Sequence, residues 1–394
     1  MKHLFAGSGS MIEQIGQIFA LIRAHDGLTR QSLASRLDLP ATTLNRSLER
    51  LLKAGLIRES GLADSSGGRR PSLYKINSQA GLLLGVDLSG PDARLVLTDL
   101  NLRVLGRRLL PAWAVPVDGG PAAALIAGCR DLAGQDHLAA GMIFGLGFCL
   151  PETGVLPPNG TAVSNGQSGE TSASSDPAVL IQSVAADLQQ KANSLPAASA
   201  GLYAGLWRSL PGSDISHDVC PLLELVADDS IGLGQIHLVN PAQSVLTFVQ
   251  LSGMVVPASD KPAAGGTVLG QLATRPAMLK RFQHLKDDAD LTWLDFCQGV
   301  QAGKRKARLV LQEAAAALSV ACLNAAIATG SRHLLLAGDS FRDLPEYEAA
   351  VRVSLRELAV RTGQELNMPE HDMGDDLRAV GAAARALEQA INLR

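Results

Sequence analysis

The 394-residue chain has few aromatic residues, 4% of the total, and only five cysteines. Cys129, Cys149, Cys220, Cys297 and Cys322 are odd in number and never form a CxxC pair. That excludes a disulfide framework or a zinc knuckle as the organising device and fits a reducing cytoplasm. Long uncharged runs are also missing. The longest apolar stretch, near 310–328, is broken by Gln312, Glu313 and Asn324, so it reads as a buried helix rather than a bilayer span. The opening MKHLFAGSGS lacks a sustained apolar segment with a cleavage pattern, so neither secretion nor a membrane is expected. The eight histidines show no HxxxH pairing, and no metal or cofactor is expected.

Apolar material is plentiful, at 46% of residues, and the length exceeds one ordinary core, so two or three domains are expected. The net charge of −3 conceals a split. Residues 1–80 carry 11 basic and 6 acidic side chains, a balance of +5, whereas the rest carries 24 and 32, a balance of −8. A basic head on an acidic body implies that the head alone meets a polyanion.

The head has helical spacing at Ile12, Ile15, Phe19 and Ile22, then a polar break at His25-Asp26-Gly27. Thr29 is a good N-cap for a second helix carrying Leu33 and Leu37. Asp38-Leu39-Pro40 makes the next turn, with Pro40 where a helix start tolerates it. The third helix runs over 41–54 with Leu44, Leu48, Leu51 and Leu52 inward, and Gly55 closes it. Its other face shows Thr42, Thr43, Asn45, Arg46, Glu49 and Arg50. Three helices with a tight turn between the last two form a helix-turn-helix, whose third helix enters the major groove. Thr42, Thr43 and Asn45 suit base edges, and Arg46 suits guanine or phosphate. A helical domain with a merely solvated polar face has the same pattern, and the trihelical spacing alone does not separate the two.

Two short strands, 56–58 and 73–76, bracket residues 59–71 as the hairpin wing that follows such helices. Gly67 and Gly68 permit close backbone approach, Arg69 and Arg70 suit a narrow minor groove, and Pro71 stiffens the exit. A solvated linker with incidental charge is the alternative. In order, the third helix, AGLIRE, SGGRRPSLYKIN and LLLGVDLS resemble the repressor branch of the ROK family (repressors, open reading frames, kinases). The resemblance is specific over about residues 11–110 and continues, more weakly, to the C-terminus. It implies an α/β fold class, with an N-terminal winged helix-turn-helix followed by a two-lobed actin-like ATPase body of the sugar-kinase type. The domains expected are 1–78 for DNA binding, 79–205 plus 365–394 for the first lobe, and 206–364 for the second, with dimerisation and an effector cleft.

The body's spacing agrees with that class. Strands are expected at 82–88, 93–100, 102–108, 143–147 and 334–339, with helices at 122–133, 178–193, 304–329, 344–362 and 376–391. Residues 153–177, rich in Gly, Ser, Asn and Pro, read as a loop or a mobile insertion near the mouth of the body. The resemblance also shows what has changed. Ser89 stands where the family's phosphate loop has glycine, and Asp92 adds negative charge there, both unfavourable to ATP. Asp228-Asp229 takes the place of the family's Asn-Asp pair, whose aspartate deprotonates the sugar hydroxyl. Asp229 thus stands as that base or as a hydroxyl-binding acceptor for an effector, and capping or solvated carboxylates are the alternative. Residues 252–272 contain no Glu or His for the sugar clamp, and 267–274 keep the zinc motif's spacing without its cysteines.

The resemblance therefore implies a cytoplasmic, non-enzymatic transcriptional regulator, a repressor, reading a palindromic double-stranded DNA operator as a homodimer or higher homo-oligomer. A sugar or sugar phosphate is the implied effector. A regulator that has lost sugar sensing is the alternative, and an ATP-dependent sugar kinase is the remaining one.

Overall fold

The computed structural model describes residues 9–62, 72–90, 92–111, 120–134, 142–151, 156, 176–208, 221–240, 243–256, 266–368 and 376–392. The chain divides into two compact units, one of residues 1–216, 238–245 and 374–394, the other of 217–237 and 246–373.

The first unit opens with the head: α1 (Gly9–Ala24), β1 (Leu28–Thr29), α2 (Arg30–Leu37), α3 (Ala41–Lys53), β2 (Ile57–Leu62) and β3 (Ser72–Ile76). Thr29 caps α2 as its side chain accepts from Ser32 N at 3.2 Å. Asp38, left-handed at φ 48°, ends that helix. At the far end of α3, Gly55 adopts φ +70°. There Gly55 N–H donates to Leu52 O at 2.9 Å and Leu56 N–H to Leu51 O at 3.0 Å, the paired bonds of a Schellman end. The three strands form a sheet in the order β1-β3-β2. α1 buries more of its surface than a one-sided amphipathic helix, with Ile15, Ile18, Phe19, Leu21 and Ile22 all inside. The cause is that it packs on α3 and also on the chain's last helix.

The body sheet of this unit contains β4 (Leu82–Asp87), β5 (Ala93–Asp99), β6 (Val104–Leu110), β7 (Ile143–Leu150) and β8 (Ala192–Pro196), in the order β6-β5-β4-β7-β8. β4 runs antiparallel to β5 and parallel to β7, and β7 parallel to β8. The helices among these strands are α4 (Gly120–Ala133), α5 (Pro177–Asp187) and α6 (Ala197–Arg208). The helix expected over 178–193 is therefore shorter. α5 ends at Asp187, Gln189 takes φ +53°, and Ala192–Pro196 pairs with β7 as a strand. Its Asn, Ser and Pro content hides a strand from any propensity argument, and only the pairing partner creates it.

The second unit holds β9 (Leu222–Ala227), β10 (Ile231–Asn240), β11 (Gln243–Gln250) and β14 (His333–Ala337) in a sheet ordered β11-β10-β9-β14. A small ladder, β12 (Val255–Val256) with β13 (Thr267–Val268), lies beside α7 (Arg275–Lys286), α8 (Trp293–Gln301), α9 (Arg305–Thr329), α10 (Asp339–Asp343) and α11 (Pro345–Thr362). α9 is long and apolar enough by length and composition to cross a membrane, and most of that stretch is buried in the protein. Ala314, Leu318, Ala321 and Cys322 place it at the centre of this unit's core. α7 and α8 were not expected from apolar spacing. Their caps are nonetheless legible: Thr274 before Pro276, and the Thr292–Asp295 capping box, closed at 2.8 Å from Thr292 N.

The chain returns to the first unit with α12 (Leu377–Asn392), which covers β4 and β7. The approach is backbone to backbone. A Cβ on Gly85 would lie 1.9 Å from Ala379 O, and one on Gly147 1.9 Å from Ala382 O. Further along α12, Glu388 is buried and accepts from Ser244 N at 2.7 Å and Ser244 Oγ at 2.6 Å. Arg385 Nη1 donates to Tyr203 OH at 2.9 Å in the same cluster. These bonds lie within the first unit, which takes in residues 238–245 of β10 and β11.

Candidate nucleic-acid interface

α3 separates sharply into two faces. Leu44, Ser47, Leu48 and Leu51 are buried, whereas Thr42, Arg46, Glu49 and Lys53 are exposed along the opposite line. Thr43 and Asn45 flank that line half-buried. Asn45 Oδ1 is turned into the protein without a hydrogen-bond partner, so this residue sits lower on the face than its position in the sequence suggests. Of the four expected major-groove residues, Thr42 and Arg46 thus stand forward, with Thr43 and Asn45 to either side. Lys53 extends the line by one turn and was missed, because apolar spacing alone could not fix how far the exposed stripe runs. The helix has no acidic residue in its first turn, and Arg50 and Lys53 occupy its last, where the helix dipole favours cations.

The stems of the wing are fastened to the helices. Ile57 faces Ile76, Arg58 faces Lys75 and Glu59 faces Tyr74. Arg30 donates to the buried Tyr74 OH at 3.0 Å, and Lys75 pairs with Asp26 at 3.0 Å. Asn77 Nδ2 donates to Gly55 O at 2.8 Å, linking the exit of the wing to the end of α3. Arg69 and Arg70, with the rest of 63–71, lie outside the described residues.

Within the first unit the head is also joined to the body. Arg23 Nε on α1 donates to Leu100 O at 3.1 Å in the turn between β5 and β6. Burial lowers the guanidinium pKa to about 10, and the Asp99 carboxylate acts in the opposite direction. Asp99 itself holds that turn, accepting from Asn101 N and Arg103 N at 2.9 Å each.

Two turns of the body, one after β4 and one after β9, are closed by the chain's own carboxylates. In the first unit, buried Asp87 accepts from Ser89 N at 2.9 Å and Ser89 Oγ at 2.6 Å, and Arg378 Nη1 donates to the same hydroxyl at 2.9 Å. In the second, Asp228 lies in the turn between β9 and β10. Its Oδ1 accepts from Ser340 N at 3.0 Å, at the start of α10, and its carbonyl accepts from Arg275 N at 3.0 Å. Asp229, the next residue, is exposed. Gly338 takes φ +125° to pass this turn, where a Cβ would lie 2.5 Å from Ala227 O. The backbone amides of Ser89 and Ser340 are thereby satisfied by the chain's own carboxylates.

The segment that keeps the zinc spacing is closed by hydrogen bonds instead. Leu269 N donates to Met254 O at 2.7 Å, Gly270 N to Ser252 O at 2.8 Å, and Thr274 Oγ1 to Gly270 O at 2.8 Å. Among the described residues no group of three or more His, Cys, Asp or Glu side chains is placed to hold a metal.

Residues 13–58 match the family described as winged helix-turn-helix DNA-binding. Among curated proteins the chain is similar to the xylose repressor of Caldicellulosiruptor bescii, 28% identical over 95 residues that cover 24% of each chain. It is likewise similar to the xylose repressor of Bacillus subtilis strain 168, 29% identical over 94 residues, 23% of this chain and 24% of that one. The alignments thus span about a quarter of the length of these relatives. Among solved structures, a ROK family transcriptional regulator described as a homolog of the E. coli MLC protein aligns over 98% of both chains, at 15% identity and a TM-score of 0.69. A ROK hexokinase from Thermus thermophilus aligns over 77% of this chain and 97% of its own, at 18% identity and a TM-score of 0.56. The fold is therefore a winged helix-turn-helix followed by a ROK-type α/β body.

Proposed function

We propose that this protein, a winged helix-turn-helix joined to a body of the ROK fold, is a DNA-binding transcriptional repressor. The observation that carries the reading is the exposed line of Thr42, Arg46, Glu49 and Lys53 on α3, set opposite the buried face of Leu44, Ser47, Leu48 and Leu51. In this reading Thr42, Thr43, Asn45 and Arg46 meet the major groove, and Arg69 and Arg70 reach an adjacent minor groove. A homodimer presents two such heads to a palindromic operator in the cytoplasm. The similar xylose repressors support the assignment and point to a sugar as effector, with Asp228 and Asp229 as candidate contacts.

Catalysis is not part of the proposal. A kinase needs free donors for the nucleotide's phosphates, and in each candidate loop one amide, Ser89 N or Ser340 N, is already taken by Asp87 or Asp228. A second reading, a repressor without sugar sensing, draws on the same observation: Asp228 is already committed to Ser340.

The test is site selection from random duplexes with the full chain, followed by titration at several salt concentrations. Arg46→Ala should weaken binding on the order of tenfold and relax one base position. The double substitution Arg69→Ala, Arg70→Ala should flatten the salt slope by about one to two, as expected for one or two lost phosphate-proximal charges. Wild-type affinity and slope in both variants would remove the assignment.

A further inference from the structure

Glu49 is out of place on a face that is to approach DNA. α3 carries Arg46, Arg50 and Lys53, and a carboxylate among them is repelled by the phosphates on both sides of a groove. Its simplest use is as a partner within the helix. Lys53 lies at i+4, with the acid N-terminal to the base, the favoured orientation, and Arg46 lies at i−3. The structure does not use either pairing: Arg46, Glu49 and Lys53 form no ion pair with one another among the described residues, and each is exposed. Glu49 also caps nothing, since the last turn of α3 is closed by the backbone bonds at Gly55 and Leu56.

Its position is informative. Thr42, Asn45, Arg46 and Glu49 fall at i, i+3, i+4 and i+7, the spacing by which a homeodomain recognition helix touches bases. Thr42, Arg46 and Glu49 are the exposed members of that set, and Asn45 is its half-buried one. A carboxylate reaching a base edge can only accept. Guanine offers acceptors at N7 and O6, and thymine offers O4 and a methyl group, so both repel it. Adenine pairs its N6 donor with the N7 acceptor beside it. Cytosine offers the N4 amino group alone.

We infer that Glu49 is a specificity-determining residue that accepts from a cytosine N4 amino group in each operator half-site, next to the base read by Arg46. The inference rests on the DNA-binding reading and adds to it the chemistry of one base pair. Glu49 rejects guanine and thymine at that position, at the expense of some affinity for every other sequence.

The experiment is site selection from random duplexes by the full chain, with Glu49→Gln and Glu49→Ala run beside wild type. Wild type should select C·G at one position per half-site, and Glu49→Ala should lose that preference, on the order of tenfold, while keeping all others. Glu49→Gln should move the preference from cytosine to adenine, because a carboxamide both donates to N7 and accepts from N6. Unchanged motifs in both variants, with uniformly tighter binding, would overturn the inference and leave the repressor reading standing. Failure of wild type to select any motif would overturn both. Because Glu49 is exposed and unpaired, both variants should keep the wild-type thermal midpoint, and Glu49→Gln preserves the side chain's shape.

Discussion

Arg23 carries a half-buried charge at the point where head and body meet in the first unit. Its hydrogen bond to Leu100 O and the nearby Asp99 offset a burial strong enough to bring the pKa down to about 10, so the group is still protonated at neutral pH. Arg23→Ala would leave the Leu100 carbonyl without this donor and Asp99 without the charge. A loss of about 2 kcal/mol is expected, within the range for hydrogen bonds to charged groups, read as a lower urea midpoint at constant slope. An unchanged midpoint would mean that water replaces the guanidinium freely. Single residues also mark what was legible in advance. Thr29 as a cap and Gly55 as a helix end follow from side-chain chemistry and backbone freedom alone. The inward turn of Asn45 Oδ1 does not, because it depends on how deeply α3 sinks between its neighbours. Glu49 was visible on the polar face and passed over as a reader, since a carboxylate is a poor general contact for DNA.

At the scale of elements, the contact between α12 and the first sheet depends on having no side chain at Gly85 and Gly147. The neighbour at Gly147 is the Ala382 carbonyl of a packed helix, not the end of a flexible side chain. Gly147→Ala should therefore force α12 away from β7 and cost more than the roughly 1–3 kcal/mol usual for an overpacked core. The thermal midpoint should fall by several degrees, and a midpoint within a degree of wild type would show that α12 can slide. The consequence extends along the helix, because α12 also holds Ser89 through Arg378 and Ser244 at the start of β11 through Glu388. None of this was legible from apolar periodicity. The helix over 376–391 was, but its covering of β4 and β7 depends on pairing glycines and alanines that lie more than two hundred residues apart. β8 was hidden for a related reason: Ala192–Pro196 has little strand propensity, and its conformation comes from the partner it finds in β7.

For the whole molecule, the charge balance of +5 on residues 1–80 and −8 on the remainder gives the two ends different tasks. The head has a surface suited to DNA. The body has the fold of sugar kinases, and in its β4 and β9 turns the amides of Ser89 and Ser340 are bound to Asp87 and Asp228. That combination separates two ligand classes that the fold alone would allow. A nucleotide must displace both internal carboxylates against charge repulsion, whereas a neutral sugar needs only hydroxyl partners. On the proposed sugar-effector reading, thermal unfolding of the full chain should be unmoved by millimolar MgATP and raised by a neutral sugar, by an amount that grows with ligand concentration. At one hundred times its dissociation constant such a ligand adds about 2.7 kcal/mol to the native state. Stabilisation by MgATP would reopen the kinase reading. Silence across pentoses, hexoses and their phosphates would favour a repressor controlled by something other than a sugar, with Asp228 serving only to hold the start of α10.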